Sequence, residues 1–290
     1  MMISTQTDSL SRHFGDAECV RILAKAGFDA IDWSQFVLQN DDSIWNTDAW
    51  AAHADELLAA AKECGVTFNQ SHAPFPSSRG EEPYDTVIRQ RIVRSMEIAA
   101  RLGAKNIVVH PLQHLEYRTH KKELFDRNLE FYRSLIPVCE KLGIRVCLEN
   151  MWQYDKLRGH IVDSVCSQPE EFCAMLDALD SPWMVGCLDI GHCALVGVDP
   201  ADFIRAMGPK RLQALHVQDV DHVHDCHTMP FIQKLDWEAI TGALAGIGYT
   251  GDFTFEADNY IEAFPDELRP EASALMAKVG RYLTSLIERK

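Results

Sequence analysis

The chain has 290 residues, 47% hydrophobic and 24% charged, with 28 Lys and Arg against 43 Asp and Glu for a net charge of −15. Such a composition builds a sizeable globular core, and its acidity argues against a partner gripped through a phosphate backbone, which needs clustered Lys and Arg. No stretch reaches the roughly 18 uncharged apolar residues of a membrane span, and nine scattered cysteines without a C-x-x-C pair argue against a disulfide framework.

The first residues, Met1 to Asp8, lack the basic and apolar regions of a signal peptide, so a cytoplasmic location is expected. Apolar runs at 2–5, 28–33, 66–72, 106–110, 144–149, 184–189, 211–216 and 252–256 read as buried strands. Helical periodicity fills the intervals. Ala17 to Ala26 sets Val20, Leu23 and Ala24 on one face, and Thr86 to Leu102 does so with Val87, Ile88, Ile92, Met96 and Ala99. Gly27, Gly65, Gly103, Gly143 and Gly248 stand where helix-ending glycines stand. Pro83, Pro169 and Pro200 mark helix starts, and Asp236 reads as the N-cap of the helix opened by Trp237.

Eight strands alternating with eight helices predict a parallel sheet. At roughly 36 residues per unit, the closed (β/α)8 barrel of the TIM type is the natural solution, as a single domain over 1–290. An open doubly wound sheet would want a glycine-rich phosphate turn after an early strand, and none is present.

Six of these strands end in a metal-ligand type: His72, His110, Glu149, Asp189, His216 and Glu256, at intervals of 38, 39, 40, 27 and 40 residues. One such residue alone reads as a cap or a loop side chain bonded to backbone. In a closed barrel, however, the carboxyl ends of the strands converge on one mouth. Carboxylates and imidazoles gathered there repel or stay unsatisfied unless a cation is shared, so joint metal binding is expected.

The motifs Leu148-Glu149-Asn150, Leu188-Asp189-Ile190-Gly191-His192, Leu215-His216-Val217-Gln218-Asp219, Asp225-Cys226-His227 with Leu235-Asp236-Trp237, and Phe255-Glu256 extend the pattern nearly end to end. On them the chain resembles the xylose-isomerase-like barrel superfamily, the group of sugar phosphate isomerases/epimerases and endonuclease-IV-like enzymes. The resemblance to its ketose 3-epimerases implies that Glu149, Asp189, His216 and Glu256 hold one divalent cation, with His192 touching substrate. Three carboxylates and an imidazole suit Mn²⁺, Mg²⁺, Co²⁺ or Zn²⁺. Glu149 and Glu256 are then the acid/base pair of a metal-dependent sugar isomerase or epimerase that moves an α-proton through an enediolate. The resemblance to endonuclease-IV-like members implies a second reading. There His72 and His110 share a further metal with Glu149, and His192, Asp225 and His227 hold another, as in a multi-zinc phosphoesterase; a metal-dependent lyase or dehydratase on a sugar or inositol derivative is also open.

Charge favours the first reading, because the loops are neutral or acidic where a DNA-repair nuclease needs a basic groove. Two acid/base glutamates also exceed the needs of a non-catalytic binding barrel. The chain departs from the epimerases after strand seven, where Asp219, Val220 and Asp221 replace an arginine that grips substrate in several of them. Arg158, in the long loop after strand five, is a candidate replacement. Trp33, Phe75 and Trp152 follow strand ends and are candidates to stack on a sugar face. The expected partner is a small sugar-like molecule, with no nucleic acid and no membrane, and the reading leaves room for a homo-oligomer. No phosphate cradle stands out near strands seven and eight.

Overall fold

Each apolar run pairs in parallel with the next. The computed structural model of the protein describes residues 1–289. Strands β1 (Ile3–Thr5), β2 (Ala30–Ser34), β3 (Thr67–His72), β4 (Asn106–Val108) and β5 (Arg145–Glu149) are followed by a hairpin, β6 (Trp152–Asp155) and β7 (His160–Asp163). Then come β8 (Met184–Asp189), β9 (Leu212–His216) and β10 (Phe253–Phe255). A six-stranded parallel sheet runs β2-β3-β4-β5-β8-β9, and β1 pairs with β10. Single parallel bridges join the two pieces at both seams, Gln6 to Asp32 and Val217 to Phe255. Backbone bonds from Val217 N to Thr254 O (2.8 Å) and from Glu256 N to Val217 O (3.1 Å) complete the closure. The result is the expected ring of eight parallel strands.

The main outer helices are α2 (Asp16–Ala26), α3 (Trp50–Cys64), α4 (Tyr84–Leu102), α5 (Tyr117–Leu142), α6 (Pro169–Leu179), α8 (Pro200–Arg211), α9 (Trp237–Gly246) and α11 (Arg269–Glu288). Short α1 (Asp8–Phe14), α7 (Ile190–Leu195) and α10 (Asp258–Glu262) sit in the loops after β1, β8 and β10. Gly27 ends α2 at φ 103°, a left-handed angle that a side chain resists, and its N–H bonds back to Ala24 O and Leu23 O. Pro169 and Pro200 occupy the first turns of α6 and α8, and Asp236 caps α9 by accepting from Ala239 N at 2.9 Å.

Two apolar layers result. A large one lies between strands and helices, and a small plug of Val108, Cys147, Val185, Cys187 and Ala214 forms a separate cluster of buried strand residues. All nine cysteines are free, and Cys147 and Cys187 belong to that plug, whereas Cys64 is exposed at the end of α3. The segment after β5, read from sequence as a long loop, folds as the β6–β7 hairpin with Gly159 in its turn. Its strands are only four residues long, at the lower limit of what alternation can mark. Among the described residues no helix is long and apolar enough to cross a membrane.

Candidate metal centre

The ends of β5, β8, β9 and the residue after β10 bring Glu149, Asp189, His216 and Glu256 together, with one ligand atom of each within 4.8 Å of the others. All four are buried. His216 Nδ1 lies 2.7 Å from Glu149 Oε1 and 2.9 Å from Glu256 Oε2, so one imidazole nitrogen faces both glutamates. Gln6 Nε2 donates to the other Glu256 oxygen at 2.7 Å. Asp189 is held by Gln218 Nε2 (3.0 Å) and caps α7 by accepting from His192 N at 2.7 Å. Gln218 reaches it because residue 191 is glycine: a Cβ there would stand 2.7 Å from the Gln218 side chain.

Burial would raise the Glu149 and Glu256 carboxyls. His216, joined by His110 beside Glu149, nevertheless holds both well below the usual range. Asp189 goes the other way, raised by burial that its neighbours do not offset. Glu149 Oε2 and Glu256 Oε2 are met only by imidazole nitrogens, His110 Nε2 and His216 Nδ1, each at 2.9 Å, and neither these oxygens nor His216 Nε2 makes a well-aligned hydrogen bond. Buried carboxylate oxygens held only by such imidazole contacts are costly in a folded protein, and a shared cation satisfies them. Donor chemistry and these poorly satisfied oxygens therefore both fit a hard divalent metal.

Two further groups adjoin this one. His72 and His110 meet Glu149, with His110 Nε2 2.9 Å and His72 Nε2 3.7 Å from Glu149 Oε2. His192 and His227 meet Asp225, at 3.7 and 3.0 Å from its Oδ2. The histidines share one device. The Nδ1 atoms of His72, His192 and His227 lie 2.7, 2.8 and 3.2 Å from the backbone carbonyls of Ala73, Asn150 and Glu256, and donation there leaves each Nε2 facing a carboxylate. Burial works against charge on His192 and His227, yet Asp189 and Asp225 raise the first well above the ordinary range and Asp225 pushes the second up to about 10. His227 also adopts φ 41°, a strained angle for a non-glycine residue, held by its N–H on Gln218 Oε1 at 2.9 Å.

The centre opens into a cavity of about 820 Å³ lined by His110, His192, Asp225, His227 and Glu256 on its floor. Trp152 lines it too, with Nε1 3.2 Å from Asp225 Oδ2, and so does Phe75. Two expected substrate contacts lie elsewhere. Trp33 is buried against Trp45 and Phe68, away from the lining, because side chains alternate along a strand and Asp32 takes the inward position. Arg158 sits beside the hairpin turn, paired with Asp155, and does not line the cavity. The guanidiniums that do are Arg12 and Arg79. Asp219, standing where an arginine was expected by resemblance, is buried. It anchors the following loop by accepting from Gln233 N, Leu235 N and Trp237 Nε1 at 3.1, 3.1 and 3.2 Å.

The sequence marks no role for Gln6 or Gln218, and for Asp32, at the end of strand two, it leaves ligand contact and loop anchoring both open. Gln218 lies two residues beyond His216, on the same strand face, which was the available signal. Asp32 is buried, accepts from Gln70 Nε2 at 2.9 Å and lies 3.5 Å from His216 Nε2.

The pattern of the xylose isomerase-like TIM barrel family matches residues 20–279. Uncharacterised protein y4fM of Sinorhizobium fredii is 27% identical over 269 residues, covering 83% of this chain and 81% of its own. A solved D-tagatose 3-epimerase-like protein superposes with a TM-score of 0.76 at 19% identity, over 100% of this chain and 99% of that one. IolI protein, solved with a zinc atom, superposes with a TM-score of 0.72 at 15% identity, over 100% and 99%. At these identities the likeness to solved structures is one of fold.

Proposed function

The chain belongs to the xylose isomerase-like TIM barrel family, and from that premise we propose that it is a divalent-metal-dependent isomerase or epimerase of a sugar or keto-sugar. The observation that carries this reading is the convergence of Glu149, Asp189, His216 and Glu256, with a carboxylate oxygen on each glutamate that has no well-aligned hydrogen bond, beneath an open cavity. The 3-epimerase-like neighbour and the zinc in IolI are consistent with it. Those four residues would hold Mn²⁺, Mg²⁺, Co²⁺ or Zn²⁺. When bound, such a cation supplies Lewis acidity that stabilises negative charge developing on a substrate carbonyl oxygen.

The chain's own groups do the proton work. Glu149 and Glu256 are both held ionised at neutral pH, as a base must be. One carboxylate takes the proton from the carbon beside the carbonyl; the other, ionised at the outset, takes up a proton from solvent and delivers it at the opposite face or at the neighbouring carbon. Gln6 fixes one Glu256 oxygen and leaves the other turned toward His216. His192, its Nδ1 tied to Asn150 O, presents Nε2 as a donor to a substrate hydroxyl. In deuterated solvent the metal-loaded protein is expected to exchange the α-proton of its substrate. Glu149→Gln and Glu256→Gln should each lower that exchange by roughly 10²- to 10⁴-fold without loss of fold; undiminished exchange in both variants sinks the assignment.

One observation favours a second reading, a multi-zinc phosphoesterase or a metal-dependent lyase on a sugar or inositol derivative. His72, His110 and Glu149, and separately His192, Asp225 and His227, each form a three-residue group of ligand type. Elemental analysis separates the two readings: about one metal per chain supports the isomerase, and two or three zinc ions support the hydrolase.

A further inference from the structure

Strands β5 and β8 stay paired only as far as Glu149 against Cys187. Past that rung the two chains part. Met151 N already donates to Val165 O at 3.1 Å, on the side of the hairpin, while α7 begins at Ile190. The β5 backbone therefore offers Asp189 no further rung, and a buried N–H needs a partner. The Asn150 side chain supplies it. Its Oδ1 accepts from Asp189 N at 2.8 Å and its Nδ2 donates to Asp189 O at 3.0 Å, so one amide meets both backbone groups of one residue. Nδ2 also reaches Cys193 Sγ, at 3.4 Å, one turn further along α7. Asn150, Asp189 and Cys193 are fully buried.

The backbone of the same residue does a second job. The Asn150 carbonyl accepts from His192 Nδ1 at 2.8 Å. Residue 150 is thus joined to three groups of the centre: to Glu149 by the chain, to Asp189 by its side chain and to His192 by its carbonyl. The side-chain task calls for an amide of this length, because both an acceptor and a donor are used. A site of this kind works only when its groups are held to within about 0.5 Å. Glu149 and Asp189 stand on strands that separate at the mouth, and Asn150 is the tie across that gap.

Resting on the metal-dependent reading above, we infer that Asn150 is a positioning residue acting through Asp189 and His192. It sets the spacing of the Glu149 and Asp189 carboxylates and aims His192 Nε2 into the cavity. Its own amide is engaged with backbone, and it does not line the cavity.

The fold contains a matched control. Asn128 of α5 makes the same clamp on Leu112, accepting from Leu112 N at 2.7 Å and donating to Leu112 O at 2.9 Å, and it too is fully buried. That clamp holds the segment after β4, where none of the four core ligands lies. The test titrates Co²⁺ into chelator-treated full chain, reading heat and the visible d–d bands, whose intensity follows coordination geometry. Asn150→Ala should weaken binding by roughly 10- to 100-fold, as loss of a partner behind a metal ligand does, and should change the bands. Asn150→Asp, of the same size, keeps the acceptor and loses the donor, and it should change the bands with the far-ultraviolet circular dichroism unaltered. Asn128→Ala should bind as the parent chain does. In α-proton exchange Asn150→Ala should raise KM, and that rise should vanish in a His192→Ala background; full additivity removes His192 from the assignment. Parent-like bands and affinity in the Asn150 variants that fold, equal weakening in Asn128→Ala, or loss of the fold in both Asn150 variants overturns the inference. No binding by the parent chain removes the metal centre and this inference with it, whereas absence of exchange with every sugar removes only the isomerase reading.

Discussion

The residue that decides how the centre is held is Asp32. It is buried, one of its oxygens has no hydrogen bond, and the other faces His216 Nε2 at 3.5 Å. His216 Nδ1 faces the two glutamates, so its remote nitrogen carries the proton when Nδ1 is a ligand, and Asp32 is the nearby acceptor. A carboxylate behind a ligand histidine fixes its tautomer and orientation. Asp32→Asn is expected to weaken metal binding by roughly 10- to 100-fold with little change in far-ultraviolet circular dichroism. Unchanged affinity in calorimetric titration would show that Asp32 only supports Gln70. At this scale the sequence exposed much of the site. The six strand-end residues are of ligand type because a barrel mouth brings such positions together, and that pattern is written in their spacing. Trp33 misled because nearness to a strand end does not set direction, while alternation does: Asp32 faces in, so Trp33 faces out.

At the scale of elements, the seams of the barrel are its sparse joints, each carrying a single bridge outside the paired strands. One is braced from outside. Asp29, just before β2, accepts from Ile3 N at 2.8 Å and takes two bonds of 2.6 Å from the Arg281 guanidinium of α11. Burial acts to raise Asp29, but Arg281 and the Ile3 N–H lower it below its ordinary 3.8. A carboxyl lowered on folding adds stability above its unfolded value, and that contribution fades as pH falls through the folded one. Arg281→Met should therefore cost about 0.5–1 kcal/mol in urea unfolding at pH 7, a modest figure because the pair is half-exposed. The difference from the parent chain should shrink as the pH falls below 3.8 and through the lower folded value. A constant difference across that range would assign the loss to packing of the arginine stem. Helix ends and strand runs were legible because their signals are local. The β6–β7 hairpin was not, and the misplacement of Arg158 followed from it.

At the scale of the whole molecule, the division of labour follows the barrel. A small apolar plug of strand residues and a large helix-facing layer hold the ring, leaving the strand ends free to carry buried charge that would be unaffordable in a smaller core. Closure was legible from the count of strands. What lines the cavity above the floor was not, since Phe36, Arg12, Arg79 and Tyr154 come from four different loops whose meeting is set by the ring. The central claim is that Glu149, Asp189, His216 and Glu256 form one metal site. It is tested most directly by calorimetric titration of Mn²⁺ into chelator-treated full chain, alongside Asp189→Ala, His216→Ala and, as comparison, His227→Ala. The account predicts one equivalent bound by the parent chain and by His227→Ala, and binding abolished in the other two; no binding by the parent chain, or binding that survives loss of Asp189 and of His216, would contradict it.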